Sequence, residues 1–423
     1  MSDSTDTKAK PKGIFFGWWL VAATFVSFAF TVSTIAIFAF GVFVVPLEKE
    51  FGWTRAQISG GYSAAALSAV AVALLQGVLI DRYGPRRLLL LSIPFFSLSV
   101  ALLYFLPDDI YIFYAFWALI PLAGIGCWPL TFSKAAVSWF NRHLGLAIGL
   151  GAAGIGVGAV IVPFIAARLI ENFGWRFAYL GLGILSLLIT FTAAYFFIFD
   201  NPSDKGTTID GDADSPLNAK PVASFGLTFR EAIKCRSYWF TFAGFFGLGL
   251  VSSSVLAHQI PMLIDRGFTP VEAGKVGAAF GMAVIAGRLI TGWFLDRFFA
   301  PLVMSVYLCG AIVAFCVYAS GQTGALMFMC AILIGLVVGG EIDALAYIIR
   351  RYFGGRAFGT IYGTIFAIFN TGNAVGASVV GVLRTSTGSY STPMWGAAIA
   401  TAGCIVILML LGPYPNLEGG PAE

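Results

Sequence analysis

Charged side chains are scarce in this chain of 423 residues, because Asp, Glu, Lys and Arg together make up only 11% of it. A soluble domain of ordinary composition carries about 25% charged residues. Hydrophobic residues reach 58%, and the mean hydropathy is +0.87. The composition therefore excludes a soluble enzyme, a disordered chain and a collagen-like repeat. We predict an integral membrane protein in contact with a lipid bilayer.

Patterns for metal, redox and nucleotide chemistry are also missing. The six cysteines include no Cys-x-x-Cys, and neither of the two histidines stands at metal-ligand spacing from a cysteine. The chain has no Walker motif, no plausible Ser/His/Asp set and no basic face with interleaved aromatic residues. We therefore predict no metal site, no cofactor, no nucleic-acid partner and no enzymatic activity. A membrane-embedded enzyme and a membrane receptor without net flux are the two other classes considered.

Long apolar runs separated by short polar segments predict twelve transmembrane helices. A spanning helix needs about 20 apolar residues. Such runs lie near 14–45, 56–80, 87–106, 111–138, 144–170, 176–198, 239–264, 272–295, 301–320, 324–349, 357–383 and 392–412. The predicted fold class is an all-α membrane protein with two pseudo-symmetric six-helix bundles.

The predicted organisation follows from a polar segment at residues 200–225, which is typical of a solvated linker. It comprises a cytoplasmic N-terminal tail at 1–13, an N-terminal bundle at 14–199, a cytoplasmic linker at 200–237, a C-terminal bundle at 238–412 and a cytoplasmic C-terminal tail at 413–423. With both termini in the cytoplasm, 16 of the 25 Lys and Arg lie inside and seven outside, which agrees with the positive-inside rule. The other two lie within spans. We expect a monomer in the inner (cytoplasmic) membrane.

The two groups of six spans repeat each other at a nearly constant offset. Gly77 to Arg82 recurs as Gly292 to Arg297, shifted by 215 positions, and Trp139-Phe140 matches Tyr352-Phe353 with a shift of 213. Two six-helix halves in parallel repeat predict a rocking transporter whose substrate site lies between the halves.

The stretch from Gly77 to Arg87 resembles the loop signature of the major facilitator superfamily, with Asp81, Gly84 and Arg86 at the usual spacing. Asp81 stands at a helix end beside basic residues, where a charge pair locks one conformation and breaks in the other. We predict gating roles for the signature and its repeat, at Asp81, Arg82, Gly84, Arg86, Asp296 and Arg297. The alternative is ordinary charge at a cytoplasmic interface.

A narrower resemblance points to bacterial monocarboxylate porters and the related oxalate/formate antiporters. The first span opens with Phe16-Gly-Trp-Trp19, the segment Trp139 to Gly154 is similar to the second signature of these porters, and Arg288 lies where they keep a substrate-binding arginine. They often have Asp or Asn four residues before that arginine, where this chain has Val284. The coupled proton therefore needs another carrier.

Charged residues inside spans are few, and those that remain usually serve transport, because each costs roughly 2.5–3.5 kcal/mol to insert. A guanidinium grips a carboxylate with two parallel hydrogen bonds, so Arg288 is predicted to bind the substrate. Arg288 and Glu341 lie at similar depths, and we expect them to pair across the cavity when the substrate is absent. The alternative is a structural arginine held by backbone carbonyls or by Glu341.

The coupled proton has three candidate carriers, Glu341, Asp343 and His258. Because Glu341 and Asp343 are two residues apart on a helix and point in different directions, we expect at most one of them to face the cavity squarely. A packing role for the acids and a hydrogen-bonded core position for the histidine are the alternatives.

Other polar residues of the spans have subsidiary roles in this interpretation. Asn370 and Asn373 offer neutral contacts to the substrate. Lys134 is expected to extend to the cytoplasmic surface, and a second cavity cation is the alternative.

These residues together predict a secondary active transporter that moves a small monocarboxylate, such as lactate or pyruvate, with a proton by rocker-switch alternating access. One certain cavity cation suits one carboxylate. An organic anion exchanger of the oxalate/formate type and an exporter of a larger apolar compound are the alternatives.

Overall fold

The computed structural model describes residues 14–211, 225–256 and 258–416. Over these ranges the chain is helical, with an isolated strand-like bridge between Gly226 and Gly354. The predicted N-terminal tail at 1–13, positions 212–224 of the predicted linker and positions 417–423 of the predicted C-terminal tail lie outside the described residues.

The first half of the chain forms the helices α1 to α9. Their bounds are α1 Gly17–Phe28, α2 Phe40–Phe51, α3 Arg55–Tyr83, α4 Pro85–Ala101, α5 Ile110–Ala123, α6 Pro129–Trp139, α7 Leu144–Phe173, α8 Trp175–Ser186 and α9 Thr192–Phe197. Short π-helical turns at Ser33–Phe38 and Leu187–Phe191 connect α1 to α2 and α8 to α9.

The second half repeats this arrangement after a short helix that precedes the first span. The bounds are α10 Phe229–Ala232, α11 Arg236–Leu256, α12 Gln259–Asp265, α13 Pro270–Leu295, α14 Ala300–Ala319, α15 Leu326–Phe353, α16 Phe358–Thr387 and α17 Ser391–Met409.

Eleven helical stretches of the described chain are long and apolar enough to cross a membrane, and α5 is a shorter apolar helix. Together they confirm the predicted all-α fold with twelve spans. The fourth predicted span, 111–138, is not one continuous helix. Gly124 and Gly126 stand at a 3₁₀ turn between α5 and α6, and Pro129 begins α6, where its missing N–H is tolerated.

The internal repeat is visible in how two equivalent helices begin. The Thr54 hydroxyl at the start of α3 accepts the Gln57 N–H, and the Gln57 side chain accepts the Thr54 N–H. Thr269 and Glu272 make the same reciprocal contacts at the start of α13. Such capping boxes satisfy N–H groups that have no partner inside the helix, so both helices start in the same way.

The two halves meet where α3 crosses α16 and where α7 crosses α13. A Cβ atom added to Gly145 would overlap the carbonyl oxygen of Gly292, and one added to Gly77 would overlap that of Gly359. Residues without a side chain are needed for helices to approach this closely. Both crossings lie near Asp81 and Asp296, and we call this end of the bundle the aspartate end.

Gly154 provides a test of the packing inside the N-terminal half. A Cβ atom at this position of α7 would overlap the carbonyl oxygen of Phe25 on α1. We expect Gly154→Ala to lower the melting temperature of the purified protein, because overpacking costs about 1–3 kcal/mol. The control Gly403→Ala lies on α17, where an added Cβ has nothing within 4 Å, so its melting temperature should not fall. Equal melting temperatures for the two variants would contradict the close contact.

Candidate functional site

A cavity of about 320 Å³ lies between the two halves of the chain. Its N-terminal wall comes from α1, α6 and α7 and is mainly apolar, with Leu20, Val21, Phe28, Phe132, Ile148 and Ile155 among its residues. The C-terminal wall comes from α13, α15 and α16 and carries the charges, at Arg288, Glu341 and Asp343. The charges of the cavity therefore lie on the C-terminal wall, which also carries Phe366 and Phe369, and the N-terminal wall is largely apolar.

Close helix packing on two sides positions Arg288. A Cβ atom on Gly149 of α7 would overlap the Arg288 carbonyl oxygen, and one on Gly339 of α15 would lie 3.1 Å from its backbone nitrogen. The side chain is 12% exposed and lines the cavity, where Nη1 donates to Asp343 Oδ1 at 3.2 Å. Within the described part of the chain this is its one hydrogen bond, so further guanidinium N–H groups can serve a ligand.

Both acidic candidates on α15 line the cavity. Glu341 Oε2 accepts a hydrogen bond from Ser252 Oγ of α11 at 2.6 Å. Asp343 Oδ1 accepts from Arg288, while Oδ2 is buried and has no partner among the described residues. Glu341, Ile342 and Asp343 all contribute to the lining, and the expectation that at most one acid faces the cavity squarely stays a prediction.

The expected pair between Arg288 and Glu341 is also wrong. Helix α13 packs directly against α15, and there Arg288 reaches Asp343. Glu341 instead bonds to Ser252 on α11. The guanidinium therefore pairs with Asp343, which lies two residues after Glu341 on the same helix α15, and not with Glu341 itself.

The remaining predicted site residues divide between cavity and surroundings. Asn373 lines the cavity, whereas Asn370 is not among the lining residues, and its Nδ2 donates back along α16 to the Phe366 carbonyl at 2.8 Å. His258 lies between α11 and α12, and its Nε2 is 2.9 Å from the Ala377 carbonyl oxygen. The structure thus brings Asn373 to the cavity and leaves Asn370 and His258 outside its lining.

Lys134 does not extend to the surface, so that expectation is wrong. Its side chain is buried, and Nζ donates to the Gly355 carbonyl at 2.7 Å and pairs with Asp81 Oδ1 at 3.3 Å. A buried ammonium needs such partners because desolvation penalises its charge. Lys134 lies outside the cavity lining and connects the N-terminal half to the loop between α15 and α16.

Asp81 binds the start of a helix in the opposite half. Its Oδ1 accepts the Gly359 N–H at 2.9 Å, and its Oδ2 accepts the Thr360 N–H at 2.7 Å and the Thr360 hydroxyl at 2.8 Å. A carboxylate is favoured at a helix N-terminus by free N–H groups and by the helix dipole. This contact fastens α3 to α16 at the aspartate end.

Asp296 makes the equivalent contact in the other direction. Its two oxygens accept the Gly145 N–H at 2.6 Å and the Leu146 N–H at 2.9 Å, at the start of α7. Burial raises the pKa of Asp296 to about 6, against the lowering effect of these two N–H donors. Two crossed helix caps, one from each half, therefore close the aspartate end. Among the described contacts, Lys134 pairs with Asp81 and not with Asp296.

The basic residues of the signature contact their own half. Arg86 donates to the carbonyls of Ile198 and Tyr195, and its backbone N–H donates to Asp200 Oδ1 at 2.7 Å. Burial raises the pKa of Asp200, against the lowering effect of that N–H. Gly84 has φ +81°, a conformation that glycine adopts without strain, so the chain turns sharply there.

Arg82 and Arg297 are exposed at the aspartate end. The Arg82 guanidinium lies 5.3 Å from the centre of the Tyr83 ring. Arg297 donates to the Trp293 carbonyl at 3.2 Å and lies over that ring at 4.0 Å. The described contacts between the halves therefore involve the two aspartates and not these arginines.

The sequence model of one protein family matches most of this chain. Residues 26–345 match the model described as Major Facilitator Superfamily. This chain belongs to that superfamily. The resemblance seen at Gly77 to Arg87 is thereby confirmed, and the chain is a multi-pass membrane transporter.

Relatives of this transporter include carriers of different names. It is 26% identical to the human protein named monocarboxylate transporter 11, over 96% of this chain and 87% of the relative. It is 25% identical to the 4-hydroxybenzoate transporter PcaK of Pseudomonas aeruginosa, over 87% of this chain and 88% of the relative.

Solved transporters share the fold at low sequence identity. The structure of the facilitator FucP in its outward conformation has a TM-score of 0.72 and 14% identity, and the match covers 95% of this chain and 99% of that one. The proton:xylose symporter XylE gives a TM-score of 0.65 at 13% identity, covering 94% and 96%.

Several residues that line the cavity, or that bind a lining residue, were not predicted from the sequence. Ser252 stands in a run of three serines, but its spacing from Glu341 gives no sign of their contact. Phe28 and Phe132 look like any other apolar residues of apolar spans, so no local signal marks them. Within the described residues, no group of three His, Cys, Asp or Glu is placed to hold a metal ion.

Proposed function

We propose that this transporter moves a small organic monocarboxylate together with a proton by alternating access. The observation that carries the proposal is the Arg288 guanidinium, which lines the cavity between the halves and is held by one carboxylate. Guanidinium groups stay charged at physiological pH and bind carboxylates through two hydrogen bonds. A substrate carboxylate would replace Asp343 on Arg288. The names of the two relatives above, which both refer to carboxylic acids, support this substrate class.

Charge balance in the cavity explains why a proton accompanies the anion. With Glu341 and Asp343 both ionised, one guanidinium faces two carboxylates. A substrate anion would add a third negative charge in a space enclosed by protein, where like charges repel more strongly than in bulk water. Protonation of one acid returns the net charge of the cavity to its value before the anion entered. The anion and the proton therefore bind together.

Asp343 also gives Arg288 a polar partner in place of the side chain that is missing at Val284. The related porters often place a carboxyl or amide side chain four residues before the arginine, on the same helix. Here α15 supplies a carboxylate to Arg288 instead, at 3.2 Å. This arrangement supports a proton acceptor that has moved from one helix to its neighbour.

The aspartate end is the cytoplasmic side in this proposal, with both termini on that side and the transporter acting as a monomer in the cytoplasmic membrane. The excess of Lys and Arg in the corresponding loops supports this orientation. The crossed caps of Asp81 and Asp296 then close the inner gate. Transport requires these caps to break when the cavity opens inward.

The test is uptake of labelled monocarboxylates by proteoliposomes with an imposed pH gradient, acidic outside. We expect accumulation that collapses when a protonophore removes the gradient. Exchange of internal for external acid without any response to the gradient would instead favour an organic anion exchanger. Failure of every carboxylate to bind or to move would reject the proposal.

Glu341→Gln is expected to lose pH-driven accumulation and to keep exchange of labelled for unlabelled substrate. The amide preserves a hydrogen bond with Ser252 but cannot take up a proton. Both rates are measured in the same proteoliposomes. The matched control Glu272→Gln removes an exposed carboxylate at the start of α13, away from the cavity, and should retain accumulation. Normal accumulation by Glu341→Gln would assign the proton to another group, with Asp343 the first to test.

A further inference from the structure

The apolar wall of the cavity is not accounted for by a carboxylate site alone. Phe28 of α1 and Phe132 of α6 are each 2% exposed, and their ring centres lie 4.3 Å apart. Both residues line the cavity, and they come from the half of the chain that does not carry Arg288. Aromatic pairs of this kind are rigid, and they favour contact with another ring or a broad apolar surface.

The size of the cavity gives a second, independent measure of its ligand. Each water molecule occupies about 30 Å³ in the liquid, so the volume of about 320 Å³ equals that of about ten water molecules. A three-carbon acid such as lactate has about six non-hydrogen atoms, so a cavity of this size keeps several waters beside it. A benzoate-sized acid, with about nine, displaces more of that water and brings more apolar surface to the walls.

Two polar groups on the N-terminal wall lack partners. The Trp128 indole Nε1 and the Thr24 hydroxyl are buried with no hydrogen-bond partner among the described residues, and both residues line the cavity. A buried indole N–H usually finds an acceptor, because leaving it unpaired costs about 1–3 kcal/mol. Since the indole is a donor only, its ligand must supply an acceptor.

From these three features we infer that the substrate is a ring-sized monocarboxylate with a hydrogen-bond acceptor on the part of its body remote from the carboxylate. The inference rests on the proposed function, because it keeps the carboxylate on Arg288. The ring then contacts Phe28 and Phe132, and the acceptor takes the free donor of Trp128 when the indole turns its buried Nε1 toward the ligand. This substrate is larger than the lactate or pyruvate expected from the sequence.

The test compares binding of lactate, benzoate and 4-methoxybenzoate to the purified full-length protein in detergent, by ligand-induced shifts of the melting temperature. Binding to the folded state raises stability by mass action, so weak ligands are detected at millimolar concentration. We expect the Kd of benzoate to be at least about tenfold lower than that of lactate. We expect 4-methoxybenzoate to bind more tightly than benzoate, since its ether oxygen is the added acceptor.

Phe132→Leu separates the ring contact from carboxylate binding. We expect it to raise the Kd of benzoate about fivefold and that of lactate by less than about twofold. The matched control Phe96→Leu replaces an equally buried phenylalanine of α4 that is not among the lining residues, and it should change neither Kd.

The outcomes distinguish the inference from the proposed function. If the wild-type protein binds lactate as tightly as benzoate, or more tightly, the inference of a ring-sized substrate is overturned and the carboxylate site is retained. An equal effect of Phe132→Leu on both acids also overturns it. Benzoate binding as tight as that of 4-methoxybenzoate overturns the remote acceptor. If no carboxylate binds, both the inference and the proposed function fail.

Discussion

Arg288→Ala is expected to abolish carboxylate binding and uptake while the protein still folds and inserts. The substitution removes the one cation of the described cavity lining and leaves Glu341 and Asp343 facing it. Hydrogen bonds to charged groups contribute about 1.5–3 kcal/mol each, so loss of a two-bond contact weakens binding by at least about a hundredfold. The measurements are substrate Kd by thermal shift and initial uptake by proteoliposomes.

Arg288→Lys separates charge from geometry. Lysine keeps a positive charge but lacks the planar fork that holds both carboxylate oxygens, so we expect uptake to stay severely impaired. The matched control Arg168→Ala removes an exposed arginine of α7 that pairs with Glu171, and uptake should be normal. Undiminished uptake by Arg288→Ala would show that the carboxylate binds elsewhere.

Asp81→Asn is expected to open the aspartate end. The carboxylate accepts four hydrogen bonds, from Lys134 and from α16, and the amide cannot accept them all because its NH₂ group is itself a donor. It also leaves the buried Lys134 ammonium without its acidic partner, and breaking a buried pair costs about 3–5 kcal/mol. An equilibrium between closed and open forms then shifts by at least about a hundredfold.

The opening is measured as the distance between spin labels on the two halves at the aspartate end. Positions 87 and 298 are exposed and suit the labels, in a Cys309→Ser background that removes an exposed native cysteine. We expect a longer distance in Asp81→Asn than in the unsubstituted protein. Asp109→Asn makes the same substitution at a cap within one half, at the start of α5, and the distance should not change.

Lys134→Met adds a direct test of the buried charge. In the double variant with Asp81→Asn, the ammonium no longer needs an acidic partner, so part of the closed population should return. If the double variant is as open as Asp81→Asn, the lost hydrogen bonds to α16 account for all of the opening. An unchanged label distance in Asp81→Asn would contradict the gate at Asp81.

Much of the fold could be predicted from the sequence, because hydropathy reports directly on membrane insertion. A span must satisfy its backbone hydrogen bonds internally, so a long apolar run has few alternatives to a helix. Breaks inside the spans were harder to predict. The turn at Gly124 to Trp128 and the π-helical turn at Ser33–Phe38 depend on which neighbours approach the helix, and hydropathy does not record this.

The candidate site could be predicted only in part from the sequence. Arg288, Glu341 and Asp343 stood out because charge is expensive inside a membrane, and all three line the cavity. Their pairing was predicted incorrectly, since depth along a helix does not say which neighbour a side chain faces. Lys134 shows the same limit, because its acidic partner lies 53 residues earlier in the chain.

Composition, repeat and signature by themselves determined that this protein is a twelve-span transporter with an arginine inside its C-terminal half. Those features are local, or they recur at a fixed offset, so the chain displays them without being folded. Only the tertiary structure decided that Asp343 holds that arginine, that two aspartates cap helices of the opposite half, and that aromatic rings of both halves line the cavity. Such contacts join residues far apart in sequence, and their geometry is set by how closely glycine-lined helices pack.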